Sequence, residues 1–134
     1  MSGDLGDYGG ASLDTLTHGI IDAIFRVHRV LGPGFLEVVY QRALAVELRL
    51  RGIPIRIEWE ITVQYEGEAV GRHRLDLVVA DRVIVEIKTV EEFAKAHYAQ
   101  VRSYLKATGM PVALLVNFSK ESAEFRRVEP PQSP

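Results

Sequence analysis

Three residues in the run Arg74 to Lys88 (R-L-D-L-V-V-A-D-R-V-I-V-E-I-K) could do chemistry together: Asp76, Glu86 and Lys88. Val83 to Lys88 alternates, with Val83, Val85 and Ile87 turned one way and Ile84, Glu86 and Lys88 the other, as a strand of period two requires. Arg74 to Val79 is a second β-rich run, and Ala80-Asp81-Arg82 between them is short enough for a hairpin loop. A three-residue loop pairs Val79 with Val83, so paired positions sum to 162. Asp76 then faces Glu86, with Lys88 about 7 Å along the same face. A two- or four-residue loop would break that pairing. Like charges opposed across a ladder are destabilising, and a divalent metal with a lysine nearby would offset the cost.

Hard cations such as Mg²⁺, with Mn²⁺ as its substitute, prefer oxygen ligands. Asp76 and Glu86 would supply two and the backbone carbonyl of Ile87 a third, leaving water or phosphate oxygens to complete the shell. Bound metal lowers the pKa of its water and stabilises charge on a phosphate in transit. Lys88 could orient the attacking water or steady the developing charge. Phosphodiester cleavage needs those parts. Charges at alternate strand positions usually face water, so the spacing by itself also suits a surface ion-pair cluster.

Further along, His97, Gln100 and Tyr104 share one helix face at spacings of three and four. They read either as a polar ridge beside the scissile phosphate or as a helix surface with Tyr104 half in the core. Between positions 72 and 106, seven basic residues (Arg72, Arg74, Arg82, Lys88, Lys95, Arg102, Lys106) meet five acidic ones. That small excess supports weak phosphate contact, and Arg74 and His97 are the residues assigned to substrate. Glu37 lies seven positions before Leu44, within about 20° of it on a helix, at the edge of the buried face. By position alone it also reads as an early-helix carboxylate stabilised by the macrodipole.

These residues must be held by a small set of elements. Ser12 caps a helix with apolar positions at Leu13, Leu16, Ile20, Ile24, Val27 and Leu31, stopped by Gly32-Pro33-Gly34. His18 and His28 on it read as partly exposed surface histidines. A second helix is expected from Phe35 to Arg51, with stripes at Leu36, Tyr40, Leu44, Leu48 and at Val39, Ala43, Val46, Leu50. Ile55 to Tyr65 alternates as a long half-buried strand with Trp59 as a sheet-face anchor; Glu66-Gly67 turns, and Ala69 to Val79 returns. A third helix is expected from about Val90 to the Gly109-Met110-Pro111 stop, then a covered strand from Val112 to Phe118. Phe125 to Val128 adds a short edge strand or packs as a tail. The strand–helix–strand order favours a right-handed crossover. The fold class is therefore α/β: an antiparallel meander plus a strand after a helical crossover, in one mixed sheet flanked by helices.

With 134 residues, 47% hydrophobic and 25% charged, the chain reads as one soluble domain with a single core. Residues 1–11 read as a flexible tail, 12–128 as the domain and 129–134 as a frayed end. No apolar run reaches the ~20 residues of a membrane span, and no signal peptide is legible, so a cytoplasmic location is expected. The absence of cysteine excludes disulfides, a thiol nucleophile and a cysteine-ligated zinc. A net charge of −2 gives no whole-protein pull toward nucleic acid.

Gly34-Phe-Leu-Glu37-Val-Val-Tyr40 resembles the motif of the GxxExxY family, which is assigned to the PD-(D/E)xK nuclease superfamily. The resemblance continues through A-L-A-V-E-L-R-L-R-G, R-L-D-L-V-V, V-I-V-E-I-K, the H-x-x-Q-x-x-x-Y of His97, Gln100 and Tyr104, and L-L-V-N-F, spanning roughly residues 13 to 128. It implies a restriction-endonuclease-like core in which Asp76, Glu86 and Lys88 correspond to the D…(D/E)xK residues. Glu37 then becomes a third carboxylate near the metal, and Gln100 and Tyr104 look like the Q-x-x-x-Y of RecB-type nucleases. The implied activity is Mg²⁺-dependent hydrolysis of DNA, with RNA as the weaker alternative. A non-catalytic module binding nucleic acid or a protein is the second reading, because the superfamily includes members that do not cut. A homodimer, or a protein partner that supplies specificity, is compatible with so small a domain.

Overall fold

In the computed structural model, which describes residues 11–131, the Ser12 hydroxyl accepts the Thr15 N–H at 3.1 Å and opens helix α1, Leu13–Leu31. That serine satisfies a donor the first helical turn cannot pair internally. Most of the expected tail at 1–11, and half of the expected frayed end at 129–134, lie outside the described residues. Helix α2 (Glu37–Leu50) follows, then β1 (Ile55–Tyr65), β2 (Glu68–Val79), β3 (Val83–Lys88), helix α3 (Lys95–Thr108), β4 (Val112–Asn117) and β5 (Glu124–Val128).

The five strands form one sheet in sequence order; β3 and β4 run parallel, and every other neighbouring pair is antiparallel. Only the parallel pair needs a long connection, and α3 supplies it. The expected α/β architecture of meander, crossover and flanking helices is what the chain forms. Phe125 to Val128 resolves as an edge strand on β4 rather than a packed tail.

Each sheet face buries its own core. Leu16, Ile20 and Ile24 of α1 and Leu44 and Leu48 of α2 pack with Leu77, Val79, Val83, Val85 and Ile87. On the opposite face, Val101, Tyr104 and Leu105 of α3 pack with Val78, Ile84, Ala113 and Leu115. The parity of β3 therefore turns Glu86 and Lys88, which alternate with Val85 and Ile87, toward α3.

The β1–β2 ribbon changes faces partway along. Ile57 and Leu77 are paired and belong to the α1/α2 core, whereas the next pair, Trp59 and Leu75, packs on the α3 side. Strict alternation would keep all four on one side. The break falls at Glu58 and Asp76, which form no pair, and Glu58 has a φ of 51°. The expectation of one continuous buried face from Ile55 to Tyr65 is corrected here. Beyond the break the ribbon runs out to the Glu66–Gly67 turn, with all of 64–74 exposed.

Two other expectations change. Helix α3 begins at Lys95 rather than near Val90, because the Asn117 side chain takes both the N–H and the C=O of Val90 and holds that segment as a loop. His28 is buried, not at the surface: its Nε2 lies 2.7 Å from the Lys120 carbonyl and its ring stacks on Phe118. His18 is exposed as expected.

Candidate active site

Asp76 stands where the sheet forks. The β2–β3 register follows the expected sum through Val79–Val83, Val78–Ile84 and Leu77–Val85, and the ladder then opens. Asp76 and Glu86 are thus not a closed rung. Instead Asp76 Oδ2 accepts the Ile87 N–H at 2.8 Å, and the Asp76 carbonyl accepts from the Gln41 amide at 3.0 Å. A residue free of both ladders can aim its carboxylate into the notch between β2 and β3. Burial raises the Asp76 pKa, opposed by the Ile87 N–H; the nearby charge of Glu37 raises it further and that of Lys88 lowers it.

Glu86 is the most perturbed group. Burial, followed by the charge of Asp76, pushes its pKa up to about 7, against the pull of Lys88. Lys88 Nζ lies 3.6 Å from Glu86 Oε2 and donates to Gln100 Oε1 at 3.3 Å. Tyr104, one turn beyond Gln100, is buried against the same group; burial first, then the charges of Glu86 and Asp76, push its phenol up to about 12. The structure therefore brings Asp76, Glu86, Lys88, Gln100 and Tyr104 together between the fork and α3.

Glu37 arrives from the other layer. It is exposed at the first position of α2, and its Oε2 accepts from the Thr89 N–H at 3.2 Å and the Thr89 hydroxyl at 3.5 Å. The spacing of its motif has a local cause. Gly34 sits at a φ of 109°, which a side chain rarely tolerates. The Tyr40 hydroxyl donates to the Gly32 carbonyl at 2.6 Å and accepts the Phe35 N–H at 3.1 Å, while its ring stacks on Phe118 at 4.5 Å. Glycine makes the turn, tyrosine clamps it, and the glutamate between them is delivered to Thr89. Tyr40→Phe is expected to cost about 1–2 kcal/mol in urea unfolding through loss of both bonds; unchanged stability would remove the clamp.

The remaining assigned residues do other things. His97 Nδ1 accepts the Ala94 N–H at 2.9 Å and so caps α3. Arg74 is exposed, paired in register with Glu60, and by alternation faces away from His73 and the α3 side. The Ile87 side chain is buried in the α1/α2 core. Gln41 and Asn117 were missed, although each carried a signal. Gln41 is a polar residue three positions before buried Leu44, and Asn117 is the one polar residue in an apolar strand.

Among the described residues, no three His, Cys, Asp or Glu side chains converge closely enough to hold a metal ion. The two carboxylates that do meet fit a cation on one observation: Glu86 Oε1 is buried with no hydrogen-bond partner. A bare buried acceptor is costly, and a hard cation bound with Asp76 would satisfy it.

Comparison with known proteins agrees with this geometry. The sequence matches the PD-(D/E)XK nuclease superfamily over residues 14–128. A solved structure titled "Crystal structure of SSO0001" is similar in fold at 16% identity, with a TM-score of 0.50 over 85% of this chain and 67% of that one. No curated protein matches. Nucleases of the matched superfamily generally use divalent metals and act on nucleic acid. No helix among the described residues is long and apolar enough to cross a membrane. A match that runs from the first helix to the last strand, with Asp76, Glu86 and Lys88 inside it, places the chain: it belongs to the PD-(D/E)XK nuclease superfamily.

Proposed function

We propose that the protein is a Mg²⁺-dependent nuclease that hydrolyses phosphodiester bonds, of DNA in preference to RNA. The observation that carries this reading is the bare, buried Glu86 Oε1 beside Asp76, with Lys88 as the adjacent cation. Asp76 and Glu86 would hold the metal, with the Ile87 carbonyl and, once released from Thr89, Glu37 as further donors. A bound ion would supply a more acidic water and charge stabilisation on the phosphate. Lys88 would orient the attacking water, and Gln100 fixes Lys88 through its 3.3 Å bond. Tyr104 walls the site and keeps its phenol proton at neutral pH, a donor toward phosphate oxygen. The narrower GxxExxY grouping is supported by the joint work of Gly34, Glu37 and Tyr40 at the turn. Sequence specificity would come from a partner or a second copy of the chain.

Glu37 is engaged with Thr89 and only two carboxylates converge among the described residues, which favours the second reading, a non-catalytic nucleic-acid-binding or protein-binding module. Metal separates the two. Calorimetric titration of Mg²⁺ and Mn²⁺, with a phosphorothioate oligonucleotide present to supply phosphate, is expected to show binding by wild type. Affinity should fall by more than about tenfold in Asp76→Ala, since losing a ligand costs at least as much as losing an outer-shell partner. A folded wild type that binds neither ion under those conditions would sink the nuclease reading.

A further inference from the structure

Past the fork, the exposed part of the β1–β2 ribbon and helix α3 enclose a groove of about 690 Å³. Ile61, Val63 and His73 line it from the ribbon, and Ser103, Tyr104 and Lys106 from the helix. No carboxylate lines it, in a chain with 18 acidic and 16 basic residues, and Lys106 is its one fully charged side chain. The volume falls in the range of a small-ligand pocket, ~300–1,000 Å³, which suits a few nucleotides of one strand. The exposed His73 ring, 5.4 Å from the buried Tyr104 ring and tilted to it by 57°, offers a face on which a base stacks. Tyr104 also joins the groove to the fork, since it stands one turn along α3 from Gln100, which accepts from Lys88.

Gly71 adds a second observation. It pairs with Val63 and shares a face with His73 two residues on. Its φ is not positive, and a Cβ there would meet nothing within 4 Å. Neither backbone nor packing requires glycine, a residue that weakens a strand. A side chain there would stand beside Val63 and His73, at the edge of the groove.

We infer that this groove binds an unpaired polynucleotide strand and leads it to the Asp76–Glu86–Lys88 fork; the choice of ligand rests on the proposed nuclease reading. The recognised chemistry is a flexible phosphate backbone with splayed bases, which single-stranded DNA and RNA share. A duplex would have to reach the fork from another side.

Fluorescence anisotropy in Ca²⁺, with gels confirming intact ligand, tests this on single-stranded DNA, single-stranded RNA and a duplex of one sequence. Wild type is expected to bind at least one single strand about tenfold more tightly than the duplex. Gly71→Ile places a strand-favouring side chain at the groove's edge beside His73, and Lys106→Glu reverses the groove charge. Each should weaken single-strand binding about tenfold, while Lys120→Glu, near the β5 edge, should not. Equal or tighter duplex binding, or groove variants that bind as wild type does, would overturn the inference. Cleavage assays in Mg²⁺ on the same proteins keep the readings apart. Groove-dependent binding with no cleavage of any substrate overturns the nuclease and leaves the groove standing. Duplex cleavage unaltered by either groove variant overturns the groove and leaves the nuclease.

Discussion

Lys88→Met should slow cleavage by about 10²–10³-fold, the usual cost of losing one group aimed at developing charge. Methionine keeps much of the apolar stem and removes only the ammonium, which lies 3.6 Å from Glu86 Oε2 and 3.3 Å from Gln100 Oε1. The Lys88 side chain is only 17% exposed, so bulk water is a poor replacement for it. Lys88 also opposes the upward pKa shifts of Asp76 and Glu86, so its loss should make both carboxylates hold their protons to higher pH. The rate deficit should therefore shrink at alkaline pH, where the carboxylates ionise regardless, without vanishing. Single-turnover rates between pH 6 and 9, with circular dichroism to verify folding, are the measurement. A variant that cuts at the wild-type rate would remove Lys88 from the mechanism.

Glu86→Gln should have two opposite effects. Its carboxyl is raised from 4.5 to about 7. Between those values the folded protein retains a proton that the unfolded chain has lost. Stability contributed by the protonated form therefore declines as pH rises from about 4.5 to about 7, and is flat above. The full penalty is on the order of 3 kcal/mol, at ~1.4 kcal/mol per pKa unit. Glutamine, neutral and of the same shape, escapes it. In EDTA at pH 8 the variant should thus be the more stable protein, with the advantage gone at pH 4. Adding Mg²⁺ should reverse the order, because wild type binds the ion more tightly in the folded state than a variant lacking one carboxylate. Urea unfolding at both pH values is the check; a variant less stable than wild type at pH 8 in EDTA would show that Glu86 is already satisfied by the protein.

Much of this was legible because local rules and tertiary packing agree. The three-residue loop at Ala80–Arg82 set the β2–β3 register, and hence the adjacency of Asp76 and Glu86. Ser12 and Gly109 marked helix ends through capping chemistry that needs no knowledge of the rest of the fold. What was not legible depends on distant partners. The face change at Glu58 and Asp76 interrupts no periodicity, since Ile57, Trp59 and Ile61 alternate without a gap. It exists because the ribbon must serve two helical layers in turn. The late start of α3 is imposed by Asn117 from another strand. Glu37 was expected beside a buried face on a helix begun at Phe35; starting the helix at Glu37 itself frees that side chain to reach Thr89. His28 could have been read correctly, because it lies four residues after Ile24 and three before Leu31, on the buried stripe.

The ribbon beyond Glu58 and Asp76 divides labour within one small domain. From Gln64 to Arg74 its side chains are exposed, and the two cores owe that stretch nothing. Exposed exchanges of this kind typically move stability by no more than about 0.5 kcal/mol. Residues there are thus cheap to vary, whereas Asp76, Glu86 and Lys88 are tied to the sheet that holds the protein together. Selection acting on such a chain could retune which strand it grips, and how firmly, one surface residue at a time. The chemistry performed on that strand would be inherited unchanged.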